Sequence, residues 1–145
     1  MMKVRTVALM LASGVLSALV HGQTKDAPQP KGETSAARVA TIQGLIRDVA
    51  CPIQNKKAGA RAFNLKCAID CAKNGSPLIL LTDSGTIYTP ISSSMPDEDQ
   101  RARLMPFVGK YVQIRGQVYE RQGTHGIVIQ DIKELPDIHL VTDAQ

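Results

Sequence analysis

Gly109-Lys110-Tyr111-Val112-Gln113-Ile114-Arg115-Gly116-Gln117-Val118-Tyr119-Glu120-Arg121 decides the fold. Val112, Ile114, Gly116 and Val118 alternate with Gln113, Arg115 and Gln117, so an extended chain here has one apolar and one polar face. Downstream, Gln122-Gly123-Thr124-His125-Gly126 reads as a turn, and Ile127 to Leu135 as the last strand. Upstream, Arg101 to Val108 carries Leu104, Phe107 and Val108 at helical spacing, with Pro106 bending or ending the helix. Asp97-Glu98-Asp99 stands before it, where the helix dipole favours negative charge.

Further back, Leu78-Ile79-Leu80-Leu81-Thr82 is a continuous apolar run, the mark of a strand covered on both faces. Asp83-Ser84-Gly85 turns it into Thr86-Ile87-Tyr88-Thr89, its hairpin partner. Arg38 to Val49 brings Val39, Ile42, Leu45, Ile46 and Val49 around Gly44, which suggests a long first strand bent at a bulge. Five strands with a helix between the third and fourth is the plan of the partly open OB barrel. The expected fold is therefore mainly β, a five-stranded OB-like barrel with a short cysteine-bearing helix inserted between strands 1 and 2. Ile46, Leu80, Ile114, Val118, Ile127 and Ile129 should share its core.

The insert holds every cysteine of the chain. Cys51 follows the first strand directly, and Cys67-Ala-Ile-Asp-Cys71-Ala-Lys-Asn-Gly75 places two thiols one helical turn apart on one face. Side chains at that spacing have Cβ atoms roughly 5 to 6 Å apart, whereas a disulfide needs about 3.5 to 4.5 Å. The helical pair should not bridge to itself. Both could reach one metal ion, or one of them could pair with Cys51.

With 145 residues and 43% hydrophobic content the chain amounts to one domain with a sizeable core. Met1-Met2-Lys3-Val4-Arg5 leads into an apolar run from Val7 to Val20, too short for a membrane span and typical of a secretory signal. The expected organisation is a signal peptide over 1–22, a flexible linker over 23–37 without large apolar side chains, and an OB-like domain over 38–141. That places the mature protein in the periplasm or outside the cell, with no transmembrane anchor after cleavage. Absence of a cysteine after the apolar run argues against lipid anchoring. Losing Lys3 and Arg5 leaves 15 basic against 13 acidic residues, so the formal +4 falls to +2. So small a charge does not point to nucleic acid. Three cysteines in an oxidising compartment leave one over, to ligate, to stay free or to bridge chains.

Gly44-Leu-Ile-Arg-Asp48-Val-Ala-Cys51, Cys67-Ala68-Ile-Asp-Cys71-Ala-Lys-Asn-Gly75-Ser-Pro77, Gly85-Thr-Ile-Tyr88 and Gly109-Lys-Tyr-Val112-Gln-Ile-Arg-Gly116 together resemble a family of small exported bacterial OB-like proteins of unassigned function. The resemblance spans about Arg38 to Leu135 and includes all three cysteines. Members often carry histidine three residues before the first helical cysteine, a position held here by Asn64. That departure weakens a four-ligand metal site.

Three thiolates are soft ligands suited to Zn or Cu(I), and three cysteines with one further ligand form a known structural zinc set. Asp70, Asn64 and His125 are the candidates for the fourth position. The reading placed first is a small exported binding module with a soft-metal site at Cys51, Cys67 and Cys71. The alternative is a disulfide-stabilised OB-like domain that meets an oligonucleotide, a glycan or a periplasmic protein through its barrel face; a thiol redox role ranks third. Tyr111, Arg115, Tyr119 and Arg121 would form that face. At 3% aromatic content, few platforms for base stacking are on offer. Neither a nucleophile paired with a base nor a phosphate-cradling glycine loop is present, so catalysis is not expected. His125, flanked by glycines, reads first as an exposed turn residue, and His139 as solvated.

Overall fold

The structure is a computed structural model, and it describes residues 37–55 and 57–144. The expected signal peptide over 1–22 and nearly all of the 23–37 linker lie outside the described residues. Five strands form a closed barrel: β1 (Arg38–Asp48), β2 (Leu78–Leu81), β3 (Ile87–Ile91), β4 (Tyr111–Arg121) and β5 (Thr124–Glu134), in the order β1-β2-β3-β5-β4. All neighbours are antiparallel except β3 and β5, which run parallel. Helix α3 (Arg101–Leu104), extended by a 3-10 turn over Met105–Phe107, lies between β3 and β4, as expected of an OB-like barrel. Pro106 sits inside that turn and the helical segment stops at Phe107. Among the described residues, no helix is long and apolar enough to cross a membrane.

Ile46, Leu80, Ile114, Val118, Ile127 and Ile129 meet in one barrel core, none more than 6% exposed. The alternation in β4 therefore has the register expected of it. Gly44, however, is not a bulge: β1 pairs without interruption with β4 through Gly44 and Val112, and Leu45 pairs with both β4 and β2. A Cβ on Gly44 would collide with the carbonyl oxygen of Leu81, so glycine is there because two strands close on β1 at that point. The register irregularity falls instead between β4 and β5 at Arg115 and Gly116.

The β4–β5 turn is also tighter than expected. Gln122 and Gly123, at φ 50° and 78°, are the two positive-φ residues that a hairpin of matching twist requires. Strand β5 then starts at Thr124, so His125 is a half-buried strand residue and not part of an open turn.

A second apolar layer lies outside the barrel. Leu45, Ile79, Leu81 and Tyr111 point away from the barrel interior and meet Phe63 and Ala68 of the insert, together with Ile138 and Leu140 of the C-terminal segment. This cover explains why all of β2 and the last five residues of β1 are buried. The insert and the C-terminal segment are tied by backbone bonds: Phe63 and Leu65 donate to the carbonyls of Val141 and Thr142, each at 2.9 Å, and Val141 donates to Arg61 at 2.8 Å.

Candidate metal centre

Two short helices carry the thiols. Helix α1 (Ala50–Gln54) follows β1 after a single residue, and Asp48 Oδ2 accepts the Cys51 N–H at 2.8 Å, fixing its first turn to the strand end. Helix α2 (Leu65–Lys73) starts at Asn64, whose Oδ1 accepts the Cys67 N–H at 2.8 Å in an N-cap. Ala68 and Ala72 form its fully buried stripe. Small residues let α2 lie close to the barrel, and Cys67 and Cys71, flanking that stripe, are half-buried at its edge.

The three sulfurs converge. Sγ of Cys51 lies 3.2 Å from that of Cys67, which lies 4.0 Å from that of Cys71, and all three are within 4.8 Å of one another. Thiolates sharing one tetrahedral ion at about 2.3 Å would stand roughly 3.8 Å apart. The observed separations straddle that value, so small rotations of the side chains would close all three on one ion. Three cysteines placed in this way could hold a metal ion.

Burial pushes the Cys51 thiol up to about 11, helped by its contact with Cys67 and by the negative charge of Asp48, while Arg47 acts in the opposite direction. Burial also raises Cys71. Burial thus favours the protonated form of Cys51 and Cys71. A metal entering the site must displace their protons.

Of the three candidate fourth ligands, only Asn64 stands beside the sulfurs. His125 is on β5, its ring 5.2 Å from that of Tyr88 and its Nδ1 3.8 Å from Glu120, and it is not in the thiol group. Asp70 is also outside that group; Lys66, one turn earlier on α2, pairs with it and holds its carboxyl below the usual range. Asn64 is adjacent, but its oxygen is occupied by the helix cap.

The expected outer face is also altered. Tyr119, Arg115 and Arg121 are exposed, but Tyr111 is 3% exposed. Its outward parity is correct; the insert and the C-terminal segment cover it, and the Arg61 guanidinium lies 4.8 Å over its ring. Arg61 in turn grips Asp83 with Nε and Nη2 at 2.9 and 2.7 Å and holds that carboxyl below its usual range. With Tyr111 taken away and Tyr88 buried, Tyr119 is the single tyrosine left for an open face, too little for a stacking platform.

Arg47 and Asp48 escaped sequence reasoning. Both are buried, at 1% and 0% exposure, and Arg47 Nη2 reaches Asp48 Oδ1 at 3.4 Å. The signal was a charged dipeptide between Leu45-Ile46 and Val49-Ala50, where an apolar strand end should contain none. No protein-family model, curated protein or solved structure matches the chain.

Proposed function

We propose that the chain is a small exported module whose three thiols bind one soft metal ion, Zn or Cu(I). The observation that carries this reading is the approach of three sulfurs from two separate helices to within 4.8 Å of one another. A lone pair of cysteines could serve as a staple; a third brought to the same point from another turn suits shared ligation. The barrel holds the ends of the insert, Asp48 and Asn64 fix the two helix starts, and the second apolar layer keeps the sulfurs half-shielded. Export itself rests on the basic, apolar start of the sequence.

One observation favours a second reading. Cys51 and Cys67 are the closest pair at 3.2 Å, so in an oxidising compartment they could join as a disulfide, tying α1 to α2 and leaving Cys71 free. Elemental analysis of anaerobically purified protein, with thiol counts in denaturant before and after reduction, separates the two. About one metal equivalent and three titratable thiols after chelation is the expected result. One free thiol without metal would overturn the metal reading.

A further inference from the structure

Beside the sulfurs lies an open cleft of about 280 Å³, with Arg47, Cys51 and Cys67 among its walls. Its polar side chains have one property in common. Asn64 Oδ1 is taken by the Cys67 N–H and Asn55 Oδ1 by the Lys57 N–H at 3.0 Å, so each amide has its NH2 donors left over. Lys57 brings an ammonium and the cysteines bring weak S–H donors. Among the described residues, no carboxylate side chain lines the cleft.

Arg47 is the second, independent sign. It is 1% exposed, yet its Nε and Nη1 have no hydrogen-bond partner among the described residues. The third nitrogen makes a long 3.4 Å contact with Asp48, and the ring of Phe63, 5.6 Å from Cζ, offers only its face. Buried charge-bearing donors left without acceptors carry the full cost of their lost hydration. An incoming acceptor would remove that penalty.

The geometry points to this cleft as a binding site for a small oxyanion, a carboxylate or a phosphate, drawn in by Arg47 and Lys57 and oriented by the amide of Asn64. Arg47, whose Nη2 faces Asp48, contributes the unpartnered Nε and Nη1 donors, and the exposed Lys57 contributes an ammonium to the lining. This assignment stands on the guanidinium and the amide and ammonium donors, and it is made for the reduced, metal-free chain, in which the sulfurs keep their protons.

The test uses the reduced, metal-free full chain labelled with 15N. Inorganic phosphate and, separately, acetate are titrated at constant ionic strength set by chloride, and the arginine Nε–H signals are followed. Saturable movement of the Arg47 signal is expected, with the Arg61 signal, held by Asp83, staying in place. Lys57→Glu, at an exposed position that should not disturb folding, is expected to weaken the response roughly three- to tenfold. Phosphate and acetate acting alike would identify charge as the main determinant; a response to one alone would name the oxyanion within the same proposal. An Arg47 signal that ignores both anions, or that moves in parallel with every other arginine, would overturn it. So would an Arg47 signal that shifts only when Zn is added, since the orphan donors would then belong to the sulfurs, and so would full binding in Lys57→Glu.

Discussion

The barrel core and the layer outside it are made of similar residues, but they come from different kinds of sequence. Inside, Ile46, Leu80, Val112, Ile114, Val118 and Ile127 lie on regular strands whose neighbours are set by pairing. Outside, Phe63, Ala68, Tyr111, Ile138 and Leu140 are brought together from an insert, a strand and a C-terminal segment. Among the described residues, the thiol cluster is carried by the insert that belongs to the second group. The barrel is a platform, and the thiols depend on a cover that is assembled over it from distant parts of the chain.

Four measurements would break or sharpen that contrast. Phe63→Ala removes the fully buried ring that joins the two, and should cost about 3 to 5 kcal/mol in urea unfolding. It should also speed the reaction of the cysteines with a thiol reagent well below the unfolding midpoint. Thiols as slow as in the parent would show the outer layer to be part of one cooperative unit. Ile114→Ala, in the barrel, should cost about 2 to 5 kcal/mol, with thiol exposure and strand content lost together. Asn64→Ala removes the α2 cap and should cost about 1 kcal/mol, while loosening Cys67 more than Cys51.

The fourth measurement is in alkali. In the folded chain the Cys51 thiol is raised from 9.0 to about 11, so it binds its proton more tightly than when unfolded. Its contribution to stability is full below about pH 9 and is lost as pH rises toward 11. Urea midpoints of the reduced, metal-free protein should fall over this window, and Cys51→Ser should flatten part of the decline. Equal slopes in both proteins would refute it.

Alternation in β4 and the unbroken apolar run of β2 make the barrel legible in the sequence, because strand period and two-sided burial leave direct marks. The convergence of Cys67 and Cys71 was likewise readable from helical spacing. Three features were not. Tyr111 has the parity of an exposed residue, and only contacts with segments far away in sequence bury it. His125 looked like turn because Gly123 and Gly126 flank it, yet the turn needs only Gln122 and Gly123. Arg47 was hidden by the general rule that charges face solvent, and it is buried because Phe63 and the insert close over it.

The backbone bonds from Ala62–Leu65 to Val141–Asp143 also bear on how the protein comes into being. On the ribosome, Cys51, Cys67 and Cys71 emerge about 70 to 90 residues before the strand-like partner that fixes their segment, several seconds ahead at the usual rate of roughly 5 to 20 residues per second. For that interval the nascent chain presents three thiols without their lid. Whatever finally occupies the cluster, a stretch of polypeptide made well after the thiols fixes the segment that carries them.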